Sequence, residues 1–333
     1  MIAEGSDRIG PATAAAAGGG ADLLDRLAAG GRPALARALS QIEAAATDVA
    51  TARLLDAALA RASAHVIGLT GPPGVGKSTL TDALIRRLRA RGLRIGVIAV
   101  DPSSRRSGGA LLGDRTRIMR EAGDDGVFMR SMAARDRLGG LAALTFPSVV
   151  LMGALMDVVI VETVGVGQSE TDVDGVVDTV VFCAQPGSGD ALQYMKAGVM
   201  EIPDIVLVTK ADVGALAQRT VSDMRGALSL AAGPDGAPAL PVLACSATTE
   251  EGIDALADAL DAAGKATMPG RGGRRLAQAA RWTQAAMAER FGRYGASRLV
   301  SEAAADESFP FAKHAATIER LTAAFDALMD KQM

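Results

Sequence analysis

A glycine-rich stretch with one lysine is the part of the sequence best suited to bind a phosphate chain. It reads GPPGVGKST, follows the apolar run HVIGLT and opens the amphipathic stretch TLTDALIRRLRARG. Glycines let successive backbone N–H groups point at one anion, and the N-terminus of the following helix adds partial positive charge. With this spacing, the lysine would reach the β- and γ-phosphates of a nucleoside triphosphate, and the serine would ligate Mg²⁺. The predicted phosphate-binding residues are Gly71, Pro72, Pro73, Gly74, Val75, Gly76, Lys77, Ser78 and Thr79.

Carboxylates that end two other apolar runs fit the magnesium site of such a P-loop. Asp101 ends IGVIAVD and Glu162 ends DVVIVE. P-loop proteins place a carboxylate at the end of a neighbouring strand to hold Mg²⁺ or its water shell. Asp114 follows in the same polar segment as Asp101, and on its own it is equally well explained as a charge favoured by a helix N-terminus. We therefore predict Lys77, Asp101 and Glu162 as catalytic residues.

The segment after Glu162, TVGVGQSE, has the composition of a nucleotide-dependent switch. Gly165 could turn its N–H toward the γ-phosphate and lose that contact after hydrolysis, so the order of the loop would depend on that phosphate. Gln168 is available to orient the attacking water, although its position alone does not establish that role. The alternative is that Glu162 is a strand-terminal carboxylate that caps the next segment.

Two later strand ends favour a guanine base over adenine. VTKAD matches the N-K-x-D pattern of guanine-binding loops at Lys210 and Asp212, with Thr209 in place of asparagine. Threonine is shorter and lacks the amide's paired donor and acceptor, so we expect weaker base binding or a less rigid loop. CSA ends the next strand, and the N–H groups of Ser246 and Ala247 would read the base oxygen. Lys-Ala-Asp alone is more typical of a surface loop, and only the order of all three motifs favours GTP.

A further loop, QPGSGDALQYMKAG, follows the run TVVFCA. Its proline and glycines are typical of a mobile hinge or of a loop that contacts a partner. A plain connection between a strand and a helix is the alternative that spacing leaves open.

The elements that position these motifs are short apolar runs alternating with longer amphipathic stretches. Fully apolar strands separated by helices indicate an α/β fold with a mostly parallel sheet covered by helices on both faces. Ligands of such sheets bind at the carboxyl ends of the strands, where the motifs lie. We predict a disordered segment at residues 1–20, a helical extension at 21–63, a P-loop NTPase domain at 64–270 and a helical region at 271–333.

Composition excludes several other classes of function. A net charge of −3 does not indicate a globally basic nucleic-acid-binding surface and leaves only a local basic patch for that role. Two cysteines, both in apolar runs, and two histidines offer almost no ligands for a zinc or nickel site built by the protein. There is no signal-peptide pattern and no apolar run long enough to span a membrane, so we expect a cytoplasmic protein with no membrane partner.

The motifs together resemble one family, the methylmalonyl-CoA mutase-associated GTPases of the MeaB/ArgK type. The resemblance covers roughly residues 20–330. It is carried by GPPGVGKST, VDPSS, GGALLGDRTR, RLGGLA, VETVGVGQSE, PGSGDALQYMKAGVMEIPDIVLVTKAD and PVLACSA. ETVGVGQSE is the most specific of these motifs.

The resemblance implies a GTPase of the metallocofactor-chaperone class that binds GTP or GDP with Mg²⁺. Its client would be an adenosylcobalamin-dependent acyl-CoA mutase, for which it gates cofactor loading and prevents inactivation. It would form a homodimer through its C-terminal helices. The resemblance also implies that Asp101, Asp114 and Glu162 join Ser78 at the metal, and that residues 185–196 form a third switch containing Gln185, Asp190 and Lys196.

Three features depart from the family pattern: Thr209, Asp136 in ARDRLGG where glycine is common, and the unusually apolar segment 144–157 with Pro147 inside it. The proline is expected to kink or shorten a helix there. Three other functions stay open: a P-loop kinase, a metal-insertion GTPase, and a module that holds GTP without useful turnover. For a GTPase of this family we expect slow hydrolysis that the partner mutase accelerates.

Overall fold

The computed structural model describes most of the chain. Asp101 is described in its backbone only. The predicted site residues Asp114, Gly165, Gln168, Asp190 and Lys196, and also Asp136, lie outside the described residues. The described ranges are 11–45, 48–101, 124–133, 144–164, 173–187, 202–231, 240–303 and 310–330.

The chain divides into two compact units, with the divisions between Ala62 and Ser63 and between Arg274 and Arg275. The central unit contains a seven-stranded sheet with the order β3-β2-β4-β1-β5-β6-β7, and every neighbouring pair is parallel. This confirms the α/β prediction, and the apolar runs HVIGLT, IGVIAVD, DVVIVE and TVVFCA each contain one strand. The strands are β1 His65–Thr70, β2 Ile95–Asp101, β3 Val127–Ala133, β4 Val158–Glu162, β5 Thr179–Ala184, β6 Ile205–Val208 and β7 Val242–Ala244.

Helices cover both faces of the sheet, which explains why its central strands are apolar on both sides. On one face, leucines of α4 and α7 pack against alternate strand residues such as Ile67 and Val181. On the other face, Met224 and Leu228 of α6 pack against Phe182. The helices of this unit are α4 Lys77–Ala90, α5 Thr145–Gly153, α6 Ala215–Ala231 and α7 Ile253–Thr267.

Helix α5 explains the apolar segment that contains Pro147. All of its residues are buried, so it needs no polar face. Pro147 is the third residue of the helix, where a backbone N–H has no acceptor inside the helix, and the first such bond joins Ser148 N to Leu144 O at 3.2 Å. The proline therefore fits within the first turn, and the helix ends at Gly153, before the end of the apolar segment.

The second unit is helical. Trp282 of α8 packs against Phe311 and His314 of α9, with ring centroids 5.4 Å apart in both pairs. The carboxylate of Asp56 in α3 caps α9 by accepting from the N–H groups of Phe311 and Ala312 at 3.0 and 2.9 Å. These contacts join helices from the two ends of the chain. The helices are α1 Pro11–Ala29, α2 Gly31–Ala45, α3 Val49–Arg61, α8 Arg271–Ala303, whose first turn belongs to the central unit, and α9 Pro310–Asp330.

Helix α1 begins at Pro11, inside the segment for which we predicted disorder. Alanine has the highest helix propensity, and proline is favoured at the first position of a helix. Both features of PATAAAAGGGAD act locally and account for a helix that begins inside this segment. Among the described residues, no helix combines the length and the apolar character needed to cross a membrane.

Candidate nucleotide-binding site

The candidate site lies at the carboxyl end of β1, where the order of the strands changes direction. Strand β1 lies between β4 and β5, while β2 follows it in the chain and pairs on the far side of β4. The connections after β1 and β4 therefore leave the sheet next to each other. Such a crevice is the ligand site of open parallel sheets.

The P-loop turns sharply away from β1 and passes very close to β5. Gly71 has φ +135°, and a Cβ atom there would lie 2.2 Å from the carbonyl oxygen of Cys183. Only glycine allows both this backbone conformation and this approach. The loop ends at Gly76, directly before α4, so the N-terminus of α4 faces the crevice.

Lys77 is the first residue of α4, and its side chain folds along the P-loop. Its Nζ donates to the carbonyl oxygens of Gly71 at 2.7 Å and Pro72 at 3.2 Å. Only 7% of the residue is exposed, so the ammonium group stays at the loop. A cation held here by neutral carbonyls is suited to neutralise phosphate oxygens.

Glu162 at the end of β4 meets two hydroxyl groups of α4. Ser78 Oγ donates to Oε1 at 2.6 Å, and Thr81 Oγ1 lies 3.2 Å from Oε2. The glutamate is only 8% exposed, and a buried carboxylate needs such donors. The prediction that Ser78 and Glu162 lie together is thus matched by a direct hydrogen bond, whereas Thr81 was not predicted.

The side-chain oxygen atoms of Ser78 and Glu162 are the type of ligand that binds magnesium. Mg²⁺ prefers hard oxygen ligands and is commonly held by one or two carboxylates together with substrate phosphates. Within the described part of the chain, no cluster of three or more Asp, Glu, His or Cys side chains could hold a metal. The backbone of Asp101 ends β2, which is paired with β4 through Ala99 and Glu162. Ser78 and Glu162 are therefore the described side chains available to the ion.

A second pair of hydroxyl groups joins the ends of β1 and β4. Thr163 Oγ1 donates to Thr70 Oγ1 at 3.2 Å, and both residues are buried. Thr163 N donates to the carbonyl oxygen of Leu69 at 3.1 Å. The residue before the P-loop is thus linked to the residue after Glu162, a contact that no sequence motif indicated.

Thr209 supports the base-binding loop in a way that differs from our expectation. Its Oγ1 lies 2.8 Å from the carbonyl oxygen of Val75 and 3.2 Å from that of Ala184, and the residue is 4% exposed. The hydroxyl therefore ties the loop to both the P-loop and β5. Replacement of asparagine by threonine does not leave the loop without support.

The exposed side chain of Lys210 connects the base-binding loop with the P-loop and with the segment that follows β5. Lys210 has a left-handed backbone with φ +54°, and its Nζ donates to Gly74 O at 2.9 Å and to Gln185 Oε1 at 3.1 Å. Asp212 follows in the exposed 3₁₀ turn Ala211–Val213. Lys210, Asp212 and the predicted switch residue Gln185 thus belong to one region beside the P-loop.

Cys245, directly after β7, contacts this region through its backbone. Ala211 N donates to the carbonyl oxygen of Cys245 at 3.0 Å. Ser246 is fully buried, and its N–H donates to the carbonyl oxygen of Glu251 at 2.9 Å. That N–H is already bonded within its own loop, so the Ala247 N–H is the remaining predicted donor to the base oxygen.

The two cysteines, which lie in apolar runs of the sequence, are free thiols in the core. Burial raises the pKa of both Cys183 and Cys245 to about 12. Their thiols are therefore protonated at neutral pH, which makes them poor nucleophiles.

The comparisons with known proteins agree with this geometry. The family model described as methylmalonyl Co-A mutase-associated GTPase MeaB matches residues 35–296. A putative GTPase of Caulobacter vibrioides is 42% identical over 282 residues, which cover 80% of this chain and 84% of that protein. A putative GTPase of Pyrococcus horikoshii is 49% identical over 194 residues, which cover 57% of this chain and 60% of that protein.

One solved structure is similar over most of both chains. It is a crystal structure of a LAO/AO transport system kinase, with a TM-score of 0.64, 28% identity, and coverage of 89% of this chain and 92% of that one. The similarity to the Pyrococcus protein is restricted to about three fifths of its length, whereas the family match and this structure extend well beyond the sheet.

Proposed function

This chain belongs to the MeaB family of methylmalonyl Co-A mutase-associated GTPases, and on that premise we propose that it binds and hydrolyses GTP at the crevice beside β1. The observation that carries the proposal is the hydrogen bond of 2.6 Å between Ser78 Oγ and Glu162 Oε1. It joins the P-loop helix to the neighbouring strand end at the atoms that a phosphate-bound Mg²⁺ requires. The position of this pair directly behind a P-loop supports the proposal, because a hydroxyl and a carboxylate there are the oxygen ligands that Mg²⁺ prefers.

The P-loop would bind the triphosphate through its main-chain N–H groups. Lys77 would exchange its carbonyl acceptors for β- and γ-phosphate oxygens and neutralise part of their charge. Ser78 and Glu162, with Asp101 and Asp114 from outside the described side chains, would hold Mg²⁺ or its waters. When bound, the ion supplies charge neutralisation between the β- and γ-phosphates. Water would then attack the γ-phosphorus while the bond to the β-γ bridging oxygen breaks, which gives GDP and inorganic phosphate, and the proton of the water would pass to the released phosphate or to solvent.

The base would lie against the region formed by Lys210, Asp212 and Ala247. The Asp212 carboxylate can accept from the guanine ring N–H and the exocyclic amine, and adenine offers no such pair of donors. The aliphatic stem of Lys210 would cover the ring, and the Ala247 N–H would donate to the base oxygen. Thr209 would keep this region attached to the P-loop.

The order of the loop after Glu162 would report on the γ-phosphate. Gly165 would contact that phosphate, and Gln168 belongs to the same loop. The hydroxyl pair Thr163–Thr70, at 3.2 Å, supports the coupling because it attaches the beginning of this loop to the residue that precedes the P-loop.

A turnover measurement tests the nucleotide and the site together. Wild-type protein and Lys77→Ala are assayed for phosphate release with GTP and with ATP, in the presence and absence of Mg²⁺. We expect Mg²⁺-dependent release from GTP by the wild type and at least about a hundredfold less from the variant, because positioning and charge neutralisation supply most of the catalysis. Equal turnover by both proteins would refute the role of Lys77, and a strong preference for ATP would favour a kinase.

The client would be an adenosylcobalamin-dependent acyl-CoA mutase, whose loading and protection the GTPase cycle would control. The family description supports this proposal. Gln185, Asp190 and Lys196 would transmit the nucleotide state to the mutase, and residues 271–333 would form a homodimer. Addition of the mutase should accelerate GTP turnover by the wild type, and Lys196→Ala should lose this acceleration while keeping its basal rate. Unchanged turnover on addition of each available cobalamin-dependent acyl-CoA mutase would contradict the proposal.

A further inference from the structure

Helix α4 directs two hydroxyl groups, not one, at the carboxylate of Glu162. Ser78 and Thr81 are three residues apart in α4, so their side chains lie on the same face of the helix. Ser78 Oγ is 2.6 Å from Oε1, and Thr81 Oγ1 is 3.2 Å from Oε2. Each carboxylate oxygen therefore has its own hydroxyl from the same helix.

Thr81 occupies a position that the core would otherwise give to an apolar side chain. It is fully buried, and the residues of α4 that share its buried side are mainly apolar, such as Leu80 and Leu84. A buried hydroxyl costs free energy unless it is hydrogen-bonded. A bond to the carbonyl oxygen of Lys77 in its own helix would satisfy this hydroxyl, so its distinguishing feature is the additional contact with Glu162 outside the helix.

The two hydroxyls differ in what magnesium would do to them. Under the proposed function Ser78 Oγ becomes a ligand of the ion, and its hydrogen bond to Glu162 changes. Thr81 lies one turn further into the helix with no exposed surface, so it cannot exchange Glu162 for an ion or a water molecule. Its contact with Oε2 can persist while Ser78 changes partner.

Thr81 has one hydroxyl hydrogen and two acceptors within reach. Besides Glu162 Oε2, the carbonyl oxygen of Lys77 lies 3.0 Å away, which is the usual local contact of a threonine inside a helix. The carboxylate carries a full charge, and hydrogen bonds to charged acceptors are roughly twice as strong as neutral ones. Removal of the hydroxyl should therefore affect the carboxylate of Glu162 more than the carbonyl group of Lys77.

We infer that Thr81 is a positioning residue for the magnesium site: it holds Glu162 by Oε2 so that Oε1 stays directed at Ser78. The inference rests on the proposed function, because it concerns the carboxylate assigned there to Mg²⁺. It adds a residue outside the P-loop motif that sets the affinity for the ion without touching it. Groups of this kind, which orient a ligand of a metal, commonly change metal affinity or activity by about 10- to 100-fold when they are removed.

The test compares Thr81→Val, which has nearly the same shape without the hydroxyl, with Thr81→Ser, which retains it. GTP turnover is measured as MgCl₂ is titrated, and the affinity for GDP is measured separately in EDTA. We expect Thr81→Val to need about tenfold more Mg²⁺ for half-maximal turnover, with the GDP affinity in EDTA within about twofold of wild type. Thr81→Ser should restore most of the wild-type dependence on Mg²⁺.

Thr317→Val is the matched control, because Thr317 is a buried helical threonine with a bond of 2.8 Å to the carbonyl oxygen of Lys313. It should leave the Mg²⁺ dependence unchanged. If Thr81→Val does not fold, Thr81→Ala and Thr81→Ser give the same comparison, since they differ by one oxygen atom. Identical Mg²⁺ dependence with and without the hydroxyl would overturn the inference alone. A wild type that neither binds nor hydrolyses GTP with Mg²⁺ would overturn the proposed function and this inference with it.

Discussion

Thr209 stands where guanine-binding loops carry asparagine, and its hydroxyl contacts main-chain carbonyls of two neighbouring segments. The distances are 2.8 Å to Val75 O and 3.2 Å to Ala184 O. Threonine cannot offer the base a paired donor and acceptor, but its hydroxyl can still hold in place the loop that contacts the base. At the scale of single residues, hydroxyl groups of Ser78, Thr81, Thr163 and Thr209 thus fix the loops and the carboxylate of the candidate site.

Removal of the Thr209 hydroxyl should weaken nucleotide binding. Thr209→Val keeps the shape and loses a hydrogen bond to the P-loop, which is worth about 1 kcal/mol, so we expect about fivefold weaker binding of GDP. Thr209→Ser should bind nearly as well as wild type. Fluorescence titration with a labelled guanine nucleotide measures both affinities. An affinity of Thr209→Val equal to that of wild type would mean that the contact does not support the site.

At the scale of elements, the approach of the P-loop to β5 sets the geometry of the crevice. The P-loop leaves β1 at Gly71 and passes against the carbonyl group of Cys183 before it reaches α4. A side chain at Gly71 would have to push β5 or the loop aside, because the conflicting atom belongs to the backbone. This contact therefore links the position of the loop to the packing of the sheet.

A pair of alanine substitutions separates this contact from backbone strain alone. Gly71→Ala would bring Cβ to 2.2 Å from Cys183 O, whereas Gly74→Ala, at φ +77°, would have no atom within 4 Å of Cβ. We expect the second to lower the free energy of unfolding by about 1 kcal/mol and the first by about 3 kcal/mol or more. Urea unfolding followed by circular dichroism measures both. Equal losses would show that the close contact with β5 carries no cost of its own.

The sequence allowed the strands and the motifs at their ends to be predicted, because both are local patterns. The apolar runs HVIGLT, IGVIAVD, DVVIVE and TVVFCA each contain a strand, and Ser78 contacts Glu162, the two residues that their motifs assign to the metal. Thr81 and the contact of the Thr209 hydroxyl were missed because no motif assigns them these partners; Ser78 and Glu162 are 84 residues apart, but each stands at a motif position with a known role. No local periodicity or spacing encodes such pairs. The helical start at Pro11 was missed for a different reason, since alanine-rich segments are weakly hydrophobic and still strong helix formers.

At the scale of the whole molecule, the helical unit contains two buried titratable groups that act in opposite directions. Burial, and secondarily the charge of Arg290, lowers the pKa of His314 from 6.5 to about 4. Burial raises the pKa of Asp56 from 3.8 to about 6, against the effect of its two backbone hydrogen bonds. At acid pH, His314 and Asp56 therefore contribute to the free energy of unfolding of this unit with opposite signs.

His314 should make the helical unit less stable as the solution becomes acidic. Between pH 6.5 and about 4 the unfolded chain binds a proton that the folded imidazole does not, so stability falls as the pH drops through this window. His314→Phe should remove this loss. Urea unfolding at several pH values, followed by the fluorescence of Trp282, reports on the unit directly, because the rings of Trp282 and His314 are 5.4 Å apart. The same pH dependence in wild type and variant would contradict the assignment.

Asp56 should contribute the opposite dependence. Between pH 3.8 and about 6 the folded carboxyl group holds a proton that the unfolded one has lost, so its contribution to stability grows as the pH falls. Asp56→Asn should therefore make the unit lose stability more steeply on acidification than the wild type does. A shallower loss in Asp56→Asn would show that the folded carboxyl group is not protonated in this window.

Calorimetric titration of GTP into the protein, with and without Mg²⁺, tests the central claim that Ser78 and Glu162 form a magnesium-dependent triphosphate site. The comparison is between the wild type and Glu162→Gln, which has nearly the same shape and lacks the negative charge. We predict that Mg²⁺ strengthens GTP binding by the wild type and that this gain falls at least about tenfold in Glu162→Gln. Absence of Mg²⁺-dependent GTP binding by the wild type, or an equal gain in both proteins, would contradict the account.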